Sequence, residues 1–159
     1  MFRHVLVALD ESGYSRMALP TAIEVARKFS ADLLVLHVVE HDRGRATVYS
    51  TETPAQATRL VAGAAETARR AGIPARGHVS DVAAGHVARA IIEAAADNEI
   101  DLIVMGSRGL SDVQGLLLGS VTHKVIQLAQ VAVLVARGPI PVRAKAEQPA
   151  TTGLTYATI

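Results

Sequence analysis

The stretch GSRGLSDVQGLLLGSVTHKV, residues 106–125, follows the apolar run Leu102–Met105. Gly106 and Gly109 stand three apart, nine residues intervene, and Gly119-Ser120 closes the pattern. An apolar run without alternation reads as a strand buried on both faces, as in a parallel sheet. From Ser120 to Ala129, Val121, Val125 and Leu128 recur at helical spacing and are expected to be buried. The unit is therefore strand, glycine loop, helix. Gly106, Gly109 and Gly119 can adopt φ > 0 and let a ligand approach the backbone. Ser120 and Val121 fall at a helix N-terminus, where unpaired N–H groups and the helix dipole favour an anion. Ser120 adds a hydroxyl donor. The segment reads as a phosphate cradle made of backbone rather than lysine, although glycines shaping a long turn would read the same way. It is neither a Walker A loop nor a Gly-x-Gly-x-x-Gly fingerprint.

Outward from this stretch the same alternation repeats. Val5–Leu9 is a continuous apolar run that stops at the turn residues Asp10-Glu11-Ser12-Gly13. Leu19, Ala22, Ile23, Ala26 and Phe29 mark a helix over Ser15–Phe29, with Pro20 inside it. Leu33–Val39 reads as a second buried strand, and the polar residues Glu40–Thr53 as a loop. Thr53-Pro54-Ala55-Gln56 combines an N-cap, Pro at the first helical position and Gln three residues on, so a helix runs from here to about Ala71 and stops at Gly72. Ala75–Val79 reads as an edge strand, Ser80 or Asp81 as the cap of a third helix, Asp101–Met105 as the fourth strand and Ala132–Ala136 as the fifth. Strands alternating with helices predict an open α/β sheet with right-handed crossovers. Residues 1–137 form the expected domain, and the Pro-, Ala- and Thr-rich residues 138–159 a loose C-terminal tail.

The 159 residues suit one domain, and half of them are apolar. The net charge of +1 comes from scattered Lys and Arg rather than a basic face, and aromatics make up 3%. No nucleic-acid partner is expected from such a surface. The chain has no cysteine, which removes thiolate chemistry and suits a reducing cytoplasm. No apolar stretch approaches a membrane span, and the N-terminal run is too short for a signal sequence.

The chain resembles the universal stress protein family, in its ATP-binding branch. The resemblance rests on Gly106-x-x-Gly109, nine residues and Gly119-Ser120, and on HVLVALDES, LLVLHVVE, IDLIVMGSRG and VAVLVAR in the right order. It implies a Rossmann-like, adenine nucleotide alpha hydrolase-like α/β fold: five parallel strands in the order 3-2-1-4-5, with helices on both faces. Ligands of such sheets bind where the strand order reverses, here between strands one and four. By resemblance, Ala8 lines an adenine pocket, Asp10 bonds the adenine or ribose side, and Val38 offers its backbone to the adenine edge. Met105 and Gly106 border the ribose, and Gly109, Gly119, Ser120 and Val121 hold phosphates. The implied cofactor is ATP with Mg²⁺. A homodimer is implied as well, and Ala132–Ala136, an apolar edge strand, gives it a local reason. HVSDVAAGH, residues 78–86, is less typical of the family.

Other chemistries fit poorly. Asp10-Glu11 is similar to the acidic pair of phosphoryl-accepting receiver domains, but the later aspartate and lysine are missing at the strand ends. His4, His37, His41, His78, His86 and His123 form no short metal-ligand motif. There is no Gly-x-Ser-x-Gly elbow and no general base for Ser120, so no catalytic residue is assigned. Arg108 and Lys124 read as solvated. Two alternatives remain beside a nucleotide-responsive stress regulator: a dimeric interaction module that uses no nucleotide, and a slow ATPase or self-phosphorylating protein.

Overall fold

The computed structural model describes residues 1–10, 15–43, 48–49, 52–107 and 118–137. Its elements are β1 (His4–Leu9), α1 (Ser15–Phe29), β2 (Asp32–Arg43), β3 (Val48–Tyr49), α2 (Pro54–Arg70), β4 (Ala75–Ala83), α3 (Val87–Asp97), β5 (Leu102–Gly106), α4 (Ser120–Leu128) and β6 (Ala132–Ala136). The parallel strands lie in the order β4-β2-β1-β5-β6, which is the expected 3-2-1-4-5, and β3 pairs antiparallel with the end of β2.

Two-sided burial explains the continuous apolar runs. Val5, Val7, Leu33, Val35, Leu102 and Val104 pack with α1 and α2 on one face of the sheet. Leu6, Leu34, Leu36, Ile103 and Met105 pack with α3 and α4 on the other. Both phenylalanines of the chain meet edge to face at the base of the first cluster, Phe2 on Phe29 at 5.2 Å. Such a pair contributes about 0.5–1.5 kcal/mol beyond its buried area.

The capping box at α2 forms as expected: Gln56 N–H bonds the Thr53 hydroxyl and Thr53 N–H bonds the Gln56 side chain. At its far end Gly72 (φ 81) turns the chain, with Gly72 N–H to Arg69 O and Ile73 N–H to Ala68 O. α1 and α3 end in the same reciprocal bonding, but with Ser30 (φ 55) and Glu99 (φ 50) in the left-handed position. Each closure throws the chain back into the next strand.

Several boundaries differ from the sequence reading. β2 does not stop at Val39 but runs to Arg43, because β4 supplies a partner as far as His41↔Ala83 and β3 pairs beyond it. For the same reason Ser80 and Asp81 are strand residues rather than helix caps; α3 starts after His86, whose side chain makes no cap bond. Leu128 is 56% exposed, and the buried stripe of α4 is Thr122 and Val125 instead. Pro20 lies in the second turn of α1. The tail 138–159 lies outside the described residues.

Gly77 marks where α2 presses on β4. A Cβ there would stand 2.9 Å from Val61 Cβ and 3.1 Å from its carbonyl carbon. Gly77→Ala should therefore destabilise by about 1–3 kcal/mol, read as a lower urea midpoint. Glu99→Gly should do the opposite. It removes about 1–2 kcal/mol of left-handed strain and returns about 0.5–1 kcal/mol through the freer unfolded chain, so the midpoint should rise.

Candidate functional site

The strand order reverses between β1 and β5, which are neighbours in the sheet with Ala8 opposite Met105. From β1 the chain turns to β2 on one side, and β5 leads to β6 on the other. The carboxyl ends of β1 and β5 therefore open a crevice that neither crossover covers.

The structure brings several of the expected residues together there. Ala8, Val38, Met105 and Val121 belong to one packed group on the α3/α4 face. Asp10 is half-buried and follows the last residue of β1. Asp32 N–H bonds Arg3 O, so the even residues of β2 direct their peptide groups towards β1. Val38 is an even residue one step past the pairing of Leu9 with His37, so its peptide groups face the point where β1 ends.

The glycine segment is anchored at both ends. Ser107 N–H bonds Ala136 O at 3.0 Å and Gly119 N–H bonds Ser107 O at 2.8 Å. The Thr122 hydroxyl, buried, donates to Gly106 O at 2.9 Å. The first α4 amide bonded within the helix is that of His123, to Gly119 O. The N–H groups of Ser120, Val121 and Thr122 thus have no acceptor within the helix, as in any first turn. The end of β5 holds this turn in place.

Gly106 closes β5, and Gly119 (φ −70, ψ 155) is the N-cap of α4; neither is left-handed, contrary to the sequence expectation. Extended backbone suits both positions because one ends a strand and the other caps a helix. Gly109 and Arg108 lie outside the described residues.

Three residues were not singled out by sequence. Ser107 and Thr122 are buried polar anchors, and Thr122 stands three residues before Val125 on the same helix face, a spacing that could have revealed it. Glu52 bonds His37, which is itself buried. Among the described residues no three His, Asp or Glu side chains converge to hold a metal, and no helix is long and apolar enough to cross a membrane. A separate depression lies at the opposite edge of the sheet, against His4, Asp32, Arg76 and Asn98, away from the reversal.

A doubly wound α/β sheet with a helix start held at its reversal defines a ligand-binding class of fold. The model of the universal stress protein family matches residues 1–137, and the chain belongs to that family. Universal stress protein YxiE of Bacillus subtilis is 33% identical over 156 residues, covering 86% of this chain and all of that protein. The universal stress protein from Archaeoglobus fulgidus in complex with dAMP superposes with a TM-score of 0.65 at 23% identity, over 85% of this chain and 98% of its own. A universal stress protein in complex with cAMP superposes with a TM-score of 0.63 at 27% identity, over 86% of this chain and 97% of its own.

Thr122→Val should keep the volume and lose the bond to Gly106 O. The expected cost is about 1–2 kcal/mol in chemical denaturation, largely restored by Thr122→Ser.

Proposed function

We propose that this chain binds an adenine nucleotide, ATP with Mg²⁺, in the crevice between β1 and β5, and acts as a nucleotide-responsive stress protein of the cytoplasm. The observation that carries the reading is the first turn of α4, whose Ser120, Val121 and Thr122 amides are held at the strand-order reversal by the Gly119–Ser107 and Thr122–Gly106 bonds. Amides fixed in this way suit phosphate oxygens, and the helix dipole adds to the attraction. The relatives described as holding dAMP and cAMP support the adenine part.

In this reading Gly119, Ser120 and Val121, with Gly109, contact the phosphates. Met105 and Gly106 border the ribose, Asp10 accepts from the ribose or adenine side, Ala8 lines the adenine pocket and Val38 meets the adenine edge through its backbone. Without a converging metal-ligand group among the described residues, Mg²⁺ would rest mainly on the nucleotide's own phosphates, as it commonly does. Nucleotide binding would bias a conformation or an assembly state. The partner copy would pair along β6, whose Leu134 is 36% exposed on the α1 face of the sheet; Ile126 and Leu128 of α4, on the other face, are 45% and 56% exposed. An unpaired apolar edge of this kind is normally covered.

The first test is mass spectrometry of any small molecule released on denaturing the purified protein, followed by calorimetric titration with Mg-ATP. Near one nucleotide per chain is expected. Gly119→Val, which puts a branched side chain among the amides, should abolish binding. An empty protein that gives no heat with Mg-ATP would replace this reading with a nucleotide-independent interaction module. Ser120→Ala should leave much of the binding; loss of phosphate incorporation in that variant would identify a self-phosphorylating protein.

A further inference from the structure

His37 has a side chain only 4% exposed, yet both ring nitrogens face polar atoms. Nδ1 lies 2.8 Å from the carbonyl oxygen of Leu9, and Nε2 lies 2.7 Å from Glu52 Oε2. A carbonyl only accepts, so Nδ1 must carry hydrogen. In a neutral ring Nε2 is then a bare lone pair. A lone pair and an ionised carboxylate at that distance repel each other. The other neutral tautomer satisfies Glu52 and turns its lone pair on Leu9. Both contacts hold together only when one further proton lies between Nε2 and Oε2, as imidazolium with carboxylate or as neutral ring with carboxylic acid.

The location gives this proton a consequence. Leu9 precedes Asp10 and His37 precedes Val38, so the ring ties the end of β1 to the middle of β2, beside the crevice. Glu52 stands immediately before Thr53, the N-cap of α2. We propose that His37 and Glu52 form a proton-held latch that docks the start of α2 against the end of β1. With the proton present, both contacts close; when it is lost, one of them opens. His37 is a positioning residue for the Leu9–Asp10 end of β1. Ligand affinity at the crevice should therefore fall as pH rises through loss of the proton. This last consequence rests on the nucleotide reading above, whereas the latch itself does not.

Among the described residues, several elements bring charged groups to this end of the sheet. Asp10 follows the end of β1, and β4 carries Asp81, which bonds His41 Nε2 at 2.8 Å. Farther along β2, Glu40 accepts from Gly85 N–H. On α2 the first charged residue is Arg59, exposed, and on α1 Glu24, Arg27 and Lys28 are also exposed.

Nitrogen-15 NMR of the His37 ring in the full chain tests the latch from about pH 5.5 to about pH 8.5. At the acid end Nδ1 should carry hydrogen and a proton should bridge to Glu52, and raising the pH should break one contact. Glu52→Gln is the decisive variant. Its amide donates to a bare Nε2, so both contacts should persist with a neutral ring and show no pH response. The latch is overturned if the wild-type ring keeps hydrogen on Nε2 and a bare Nδ1 throughout, or if Glu52→Gln titrates like the wild type. Titration with Mg-ATP at the two pH limits tests the coupling. Wild-type affinity should fall about fivefold or more at the higher pH, within the usual range of coupling between sites, and Glu52→Gln should be flat. Equal pH profiles in the two proteins would overturn the coupling. Absence of Mg-ATP binding at both limits would overturn the nucleotide reading, while the ring measurement would still decide the latch.

Discussion

Burial of the central strands on both faces is the constraint on which the rest of the structure depends. Val5, Leu6 and Val7 of β1 and Ile103 and Val104 of β5 have no exposed surface. Helices cover them from both sides, so no polar side chain can stand along their length without losing its water. Their backbone groups are satisfied sideways, by β2, by β6 and by each other. Chemistry is left to the strand ends. At the carboxyl edge the chain leaves β1 and β5 in opposite directions, and the gap between them is a product of the topology before any residue is chosen for it.

Where the strands run out, carbonyl oxygens still need partners. Side chains and loop amides supply several of them here. Thr122 donates to Gly106, Gly119 to Ser107, and His37 to Leu9. Each bond continues the sheet's hydrogen bonding for one more step, and each also fixes an element that borders the crevice. A hydroxyl can do this without any change of charge. An imidazole cannot, because its second nitrogen also needs a partner of the right protonation state. That difference makes Thr122 a fixed anchor and His37 a conditional one.

The parts legible in the sequence were those whose cause is local. Val5–Leu9 and Leu102–Met105 announce two-sided burial through composition alone. Thr53 and Gln56 satisfy each other within one helical turn, so the start of α2 was readable without knowing what lies beside it. The misread parts depend on distant partners. The extension of β2 to Arg43 requires β4 and β3, and Ser80 and Asp81 are strand residues because His41 and its neighbours pair with that segment. Thr122 was missed because a threonine in a helix ordinarily faces solvent, and only the end of β5 gives it a reason to be buried. The links from His37 to Leu9 and Glu52 span 28 and 15 residues, and no periodicity reports them. For the site, the glycine pattern marked the connection from β5 to α4, but left-handed backbone was the wrong reason for Gly119, which is extended.

α4 joins the end of β5 to the edge strand β6. Its first turn lies at the crevice, while Ile126 and Leu128 near its other end are exposed. A helix of nine residues is about 13 Å long at 1.5 Å per residue. Over that length a regular helix is stiff, and Val125, fully buried between the two ends, fastens it to the sheet. A force applied at Ser120 would reach Leu128 as motion of the whole helix rather than being absorbed by bending. β6 follows α4 after three residues and pairs with β5, whose last residue holds the first turn through Thr122. Helix start, strand end and edge strand thus form a closed mechanical loop. A ligand that repositions the first turn has a short physical route to the edge strand, and a partner that covers the edge has the same route back.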